Sequence, residues 1–269
     1  MVRFKLYRAG YCRHPEYTVI KNGSLRLKEF SMICALLHHN KFGHILFDVG
    51  YSQEFFNATK KFPYALYKLL TPVHIPLTLR ESLLVDGIDP LSIKYIFVSH
   101  FHADHISAID DFPNAEIICS REAYEFAKKA TGFKGIIKGI LPYLVAKFKY
   151  RKLNFIECKK QTPGPYLFNI AYDILGDETL LAVPLPSHAI GHFGLYCNDT
   201  HKFLVGDSCW IKKAYVSNTL PHWITKILHH NHSEYSATLS KLRTLHKLYP
   251  NIKIIPSHCL ETYLKMVDL

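Results

Sequence analysis

Ser99-His100-Phe101-His102-Ala103-Asp104-His105 stands directly behind the apolar run Ile93-Lys94-Tyr95-Ile96-Phe97-Val98. The run reads as a strand. The H-x-H-x-D-H segment then puts His100, His102, Asp104 and His105, all good metal ligands, within six residues. Strand alternation predicts that His100 and His102 point to one side, and a turn brings Asp104 and His105 round to the same point. That arrangement suits two divalent cations that activate one water between them. The chain has 17 histidines, so some clusters follow from composition alone. The pairs His38/His39 and His229/His230 are read that way.

Outward from this segment, short strands alternate with short helices. Phe4–Tyr7, Ser31–Leu37 and His44–Phe47 read as strands, the last two joined in a hairpin by Asn40-Lys41-Phe42-Gly43. That hairpin ends in Asp48-Val49-Gly50, a carboxylate at a strand end before a turn glycine. Residues 53–80 are rich in aromatics and prolines and read as short helices and a loop that walls a pocket. Leu79–Val85 reads as a helix stopped by Asp86-Gly87. A strand at Ile117–Cys119 precedes a helix at Arg121–Ala130, capped by Ser120 with Gly132 beyond its end.

Residues 133–153 are apolar, with lysines at 134, 138, 147 and 149. They read as an amphipathic packing helix broken at Pro142, in preference to a segment that lies on a membrane or caps a greasy pocket. Leu167–Ile170, Leu180–Pro184, Gly194–Cys197 and Lys202–Val205 are strand candidates. Ser233 is placed as the cap of a helix to Tyr249, whose Leu239, Leu242, Leu245 and Leu248 form a core stripe ended by Pro250. A last strand, Ile252–Ile255, leads into Pro256-Ser257-His258. Strand-then-helix units in succession predict an α/β architecture, and no linker or composition break divides the chain, so one domain over 1–269 is expected.

Composition narrows the classes. The 48% hydrophobic content predicts a sizeable core, and no uninterrupted apolar stretch is long enough to span a membrane. The N-terminus, Met1-Val2-Arg3-Phe4-Lys5-Leu6-Tyr7-Arg8, lacks the apolar core of a signal peptide. Seven scattered cysteines without a C-x-x-C pair fit reduced thiols, so a cytoplasmic setting is expected. The net charge of +11 is spread along the chain and comes with no nucleic-acid signature, so nucleic acid is a disfavoured partner. Most of that charge reads as a solvated surface, with attraction of anionic substrates or peripheral membrane contact as the less favoured reading; a homodimer is also admitted.

Three more candidates fall at strand ends. His188 follows Leu181-Ala182-Val183-Pro184-Leu185 within Pro186-Ser187-His188-Ala189-Ile190-Gly191-His192. Asp207 follows Phe203-Leu204-Val205 in Gly206-Asp207-Ser208, and His258 follows Ile252-Lys253-Ile254-Ile255. Polar residues just past apolar strands are where rigid scaffolds present function.

The ordered set Asp48, His100-x-His102-x-Asp104-His105, His188, Asp207 and His258 resembles the metallo-β-lactamase superfamily of hydrolases over nearly the whole chain. The resemblance implies a four-layer αββα sandwich with the site at one edge, between two sheets. It implies one metal site of His100, His102 and His188, a second of Asp104, His105 and His258, and Asp207 bridging them. Asp48 would orient a ligand, and His192 would pack or hydrogen-bond nearby. Cys209 and Cys259 flank the site as packed thiols. The all-nitrogen-and-oxygen set suits two divalent ions, zinc first, with iron or manganese also admitted.

Within the superfamily the chain looks most like the N-acyl-homoserine lactonases, in length, in the start Leu6-Tyr7-Arg8-Ala9-Gly10-Tyr11-Cys12 and in the short tail after His258. It departs from them at Trp210, where that group has a substrate-contacting tyrosine. An indole offers an N–H but no ionisable hydroxyl. The resemblance thus implies a dinuclear hydrolase whose metal-activated hydroxide attacks an ester, lactone or thioester carbonyl, with Asp104 shuttling the proton. The apolar stretches at 55–77 and 133–148 would line a channel for an acyl-chain-bearing small molecule. The alternatives are a phosphodiesterase or nuclease of the same fold, a glyoxalase II-like thioesterase, and a binding protein without turnover.

Overall fold

The structure is a computed structural model that describes residues 2–186, 188–221 and 231–267. Ser187 and the His229/His230 pair lie outside the described residues. The first sheet holds β1 (Val2–Pro15), β2 (Leu27–His39), β3 (Gly43–Phe47), β4 (Val73–His74), β5 (Ile93–Phe97), β6 (Glu116–Cys119) and β7 (Leu153–Phe155). Its strand order is β4-β1-β2-β3-β5-β6-β7. The second holds β8 (Lys160–Pro163), β9 (Ile170–Asp173), β10 (Leu180–Pro184), β11 (Phe193–Cys197), β12 (Lys202–Gly206) and β13 (Lys253–Pro256), in the order β13-β12-β11-β10-β9-β8. Both sheets are mixed. β3, β5, β6 and β7 run parallel to one another in the first sheet, β3 is antiparallel to β2, and β12 and β13 are parallel in the second.

The period-two pattern of the central strands explains the layering. In β2, Ile33, Ala35 and Leu37 enter a core shared with Leu180, Ala182, Leu195 and Leu204 of the facing sheet. The alternate residues Met32, Cys34 and Leu36 enter a different core, under helices on the other face. β10 does the same, with Leu181 and Val183 turned to a third core beneath Leu239, Leu242 and Leu245. Strands buried on both faces read as continuous apolar runs, which is how these strands look in the sequence. Three cores between four layers make the αββα sandwich that the resemblance implied.

The helices α1 (Gln53–Ala58), α2 (Ala65–Leu70), α3 (Leu79–Val85), α4 (Ala103–Ile106), α5 (Arg121–Lys129), α6 (Gly132–Ile137) and α7 (Pro142–Ala146) precede the second sheet. α8 (Lys212–Ser217), α9 (His232–Leu248) and α10 (Leu260–Val267) belong to the second half. Ser120 caps α5 by accepting from Ala123 N at 3.2 Å, as expected. α3 carries a full capping box from Thr78 and Glu81.

Several boundaries differ from expectation. The first strand runs to Pro15 because β2 pairs with it along its length, past a register shift between Arg8 and Tyr11. The expected strand at Leu167–Ile170 is displaced to Ile170–Asp173, because Tyr166 has φ 55° and Phe168 N closes a turn onto Pro165 O. The cap of α9 is Asn231, not Ser233: its side chain accepts from Ser233 N and Glu234 N. Residues 133–153 form two short helices and a 3-10 turn rather than one broken helix, with Pro142 starting α7. Proline is tolerated there because the first helical N–H has no intrahelical acceptor.

Candidate metal centre

Each candidate ligand follows the C-terminal end of a strand. β5 stops at Phe97, so His100 and His102 lie on irregular chain beyond it and not on the strand itself. Their rings nevertheless meet, with centroids 4.4 Å apart. His102 is the N-cap residue of α4, and Asp104 and His105 occupy that helix's first turn. His188 lies on the loop after β10, Asp207 one residue past β12, and His258 two residues past β13. β12 and β13 are parallel neighbours, which places Asp207 and His258 side by side.

The seven side chains converge. His100, His102, His188 and Asp207 form one tetrad, and Asp104, His105, Asp207 and His258 form another. Within each, the donor atoms lie within 4.8 Å of one another. His188 Nε2 is 3.0 Å from His102 Nδ1 and 3.3 Å from Asp207 Oδ2. His258 Nε2 is 3.1 Å from Asp207 Oδ1 and 3.4 Å from Asp104 Oδ2. His105 Nε2 is 3.4 Å from Asp207 Oδ1 and 3.5 Å from Asp104 Oδ2. His102 is half-buried and the other six are buried.

Partners behind the rings fix which nitrogen faces inward. His258 Nδ1 lies 2.8 Å from Ser31 O, a pure acceptor, so Nδ1 donates. His105 Nδ1 donates to Asp48 Oδ2 at 2.6 Å. Asp48 is fully buried with φ 54° and also accepts from Ser99 N and Ser99 Oγ, both at 2.8 Å. A non-glycine residue in the left-handed region is a strained choice that surrounding structure must hold. Ser99 Oγ, having donated to Asp48, accepts from His100 Nδ1 at 3.0 Å. In all three rings Nε2 is left for the interior. His192, which the sequence set aside, accepts from Asp207 N at 3.2 Å. It packs against Gly206, where an added Cβ would come within 2.6 Å of the His192 ring.

Charge is divided unevenly. Burial, followed by the neighbouring His105 and His102, drives the His100 pKa well below the imidazole range. Burial works against the charged form of His105 too, but Asp104, Asp48 and Asp207 outweigh it and raise that pKa. For His258, Asp207 and Asp104 outweigh burial in the same direction. Burial raises the Asp104 pKa, whereas His258 and His105 overcome burial at Asp207 and hold its carboxyl well below the usual range.

Divalent cations fit this constellation. His100 Nε2, His105 Nε2 and Asp207 Oδ1 are buried with no hydrogen-bond partner among the described residues. Buried polar atoms left that way are costly unless something else satisfies them. No thiol joins either tetrad, and Cys209 and Cys259 are packed, buried thiols as expected.

Above the tetrads opens a cavity of about 400 Å³. His102, Asp104, His188 and Asp207 form its floor, with a largely apolar wall above them. The expected stretches contribute Tyr67, Leu70 and Thr71 on one side and Ile136, Ile137, Lys138 and Gly139 on the other. Gly139, at φ +67°, lies so close to the His102 ring that an added Cβ would come within 2.9 Å of it. Sequence reasoning missed Cys12, Val19, Tyr51 and Tyr235, which also line the cavity and carry no local pattern that marks them. Trp210 closes the wall with its ring 4.5 Å from His258 and 6.2 Å from His188.

The described helices include none long and apolar enough to cross a membrane. Among characterised proteins, the chain is 32% identical over 165 residues to the N-acyl homoserine lactonase AttM of Rhizobium radiobacter, covering 60% of this chain and 54% of that one. It is 39% identical over 106 residues to AttM of Azorhizobium caulinodans, covering 39% and 36%. The chain thus spans about half the length of the first of these relatives and less of the second. Among solved structures, it superposes on an AiiA variant of B. thuringiensis with N-decanoyl-L-homoserine bound, at TM-score 0.68, 19% identity and 97% and 95% coverage. It also superposes on AidC, a dizinc quorum-quenching lactonase, at TM-score 0.62, 17% identity and 96% and 88% coverage. Such identities show a shared fold. The metallo-beta-lactamase superfamily profile matches residues 34–258. With the profile matched over most of its length, the chain belongs to the metallo-β-lactamase superfamily.

Proposed function

We propose that the protein is a dinuclear metal-dependent hydrolase acting on the ester, lactone or thioester carbonyl of a small molecule that carries an acyl chain. One observation carries the reading: two donor tetrads sharing Asp207 lie beneath a largely apolar cavity. The partial similarity to proteins named as N-acyl homoserine lactonases supports the substrate class.

In this reading His100, His102 and His188 would hold one cation and Asp104, His105 and His258 the other, with Asp207 available to both. Zinc suits the donors, as do iron and manganese. When bound, the cations supply Lewis acidity that acidifies a water and polarises the substrate carbonyl. The chain does the rest. Asp48 and the Ser31 carbonyl hold the His105 and His258 rings, so that both Nε2 atoms stay aimed inward. Asp104 is the proton carrier: its Oδ2 faces the cluster, 3.4 Å from His258 Nε2. It takes the proton of the attacking water and returns it to the leaving oxygen or sulfur. Trp210 places an apolar ring against the His188 and His258 side of the floor. Tyr51, Tyr67 and Tyr235 bring hydroxyl-bearing rings to the cavity, where Trp210 brings none.

The test is a panel of acyl lactones, aryl esters, thioesters and phosphodiesters, assayed with metal-loaded protein. Turnover of lactones or esters that improves with acyl length is expected. Clear phosphodiesterase activity without lactone, ester or thioester turnover would transfer the site to the phosphodiesterase alternative.

A further inference from the structure

Two segments meet at the cavity, and their composition is one-sided. Residues 55–80 contain Lys60, Lys61, Lys68 and Arg80 and no aspartate or glutamate. Residues 126–156 contain seven lysines and Arg151, again without a carboxylate. The segments touch: Gly132 N donates to Tyr64 Oη at 2.9 Å, and the Phe62 and Phe133 rings meet edge-on at 5.9 Å. Both supply cavity wall, through Leu70 and Ile137 among others.

The outer side of this junction is apolar and open. Phe62, Leu69, Leu70, Phe133 and Ile137 are exposed large hydrophobics gathered on the two segments. Single exposed hydrophobics are ordinary, but a cluster around a cavity mouth marks an interaction surface. Lys60, Lys61, Lys68 and Lys134 are exposed and form no ion pair among the described residues. Elsewhere in these segments Lys147 is paired with Glu54 and Asp110, and Lys152 with Glu116.

We infer that this rim docks on an anionic lipid surface, with the apolar side chains among the acyl chains and the lysines at the headgroups. Apolar side chains ringed by unpaired lysines have the two-part chemistry of an interfacial membrane contact. A protein partner would need acidic groups with apolar ones spaced to match, whereas an anionic bilayer offers both everywhere. Docked this way, the cavity mouth opens onto the acyl layer, and an amphiphilic substrate passes from membrane to floor without crossing water. Passage of a substrate to the floor rests on the hydrolase reading, whereas vesicle binding by the rim does not.

The full chain is sedimented with vesicles of phosphatidylcholine, with and without phosphatidylglycerol, at low and high salt. Binding is expected only to the anionic vesicles, and salt should weaken it. K60E/K61E/K68E/K134E should lower the partition coefficient by at least about tenfold. F62S/L69S/F133S should lower it while leaving the charge unchanged. All these side chains are exposed, and near-ultraviolet circular dichroism checks that each variant is folded. A control set, K41E/K241E/K247E/K253E, makes the same charge change outside the two segments and should leave most of the binding. Equal losses from both charge sets would reduce the effect to attraction by the overall +11 charge and overturn the proposal. So would vesicle binding that is absent, or rim variants that abolish a dimer seen by sedimentation velocity, which would give the rim to a second copy.

Discussion

The two tetrads are built from the same residue types around one shared carboxylate, yet they treat protons in opposite ways. The His100 side has three imidazoles to one carboxylate, and burial keeps His100 and its neighbour His192 neutral. The Asp104 side has two of each, and its carboxylates outweigh burial and raise the pKa of His105 and of His258. The first side is preorganised to donate lone pairs, whereas on the second a cation competes with more tightly held protons. The difference predicts that two cations, held as proposed, bind asymmetrically. The imidazole-rich side should fill at lower pH, and filling of the carboxylate-rich side should release protons.

The largest expected effect comes from breaking what the halves share. Asp207→Ala should cost both cations and lower hydrolysis by roughly 10³-fold, the rate equivalent of several kcal/mol of charge stabilisation. Metal content and activity measured together check this; a variant that keeps two metals would remove Asp207 from the bridge.

Next comes acid stability of the metal-free protein, where the halves pull apart. Burial lowers the His192 pKa to about 4. Between the usual imidazole value and that one, the unfolded chain binds a proton that the folded protein refuses. Stability should therefore fall as pH drops through that window, by about 3 kcal/mol from this group. His105 and His258 have raised pKa values, so their contribution is complete below the usual imidazole range and is lost as pH rises through their folded values. Urea melts of metal-free wild type, His192→Gln and His258→Gln across pH separate the two. His192→Gln should flatten the acid limb and His258→Gln the alkaline one.

Asp48→Asn keeps the size of the side chain behind His105 and removes its charge. Metal affinity should fall by about 10- to 100-fold, with the loss in the second binding step. Calorimetric titration resolves the steps, and an equal loss in both would argue against a stronger hold of Asp48 on His105, which it meets directly, than on His100, which it reaches through Ser99. The smallest effect is expected at Trp210, which lies against His188 and His258 without joining either tetrad. Trp210→Phe should leave metal content unchanged and alter turnover only a few-fold through the shape of the wall.

Much of this was legible in the sequence because of where the chemistry sits. His100 to His105, His188, Asp207 and His258 each follow an apolar run, and such runs announce themselves when both faces of a strand are buried. The order of these residues along the chain carried the resemblance that implied the sandwich and the edge where they gather. What stayed hidden was assembled by long-range contact. Ser31 O behind His258 comes from a residue 227 positions away. The cavity wall joins Cys12 and Val19 to Tyr67, Ile136 and Tyr235, which share no periodicity. The shift of β9 to Ile170 depended on a left-handed Tyr166, a conformation that tyrosine seldom takes. Asn231 displaced Ser233 as the α9 cap because asparagine serves that position as well as serine does.

The central claim, two cations sharing Asp207, is tested most directly by the metal content of the purified protein after loading and desalting. Two equivalents per chain are expected for the wild type and about one for His100→Ala, with the cation of the Asp104 side retained. Less than one equivalent in the wild type, or an undiminished two in His100→Ala, would contradict the account.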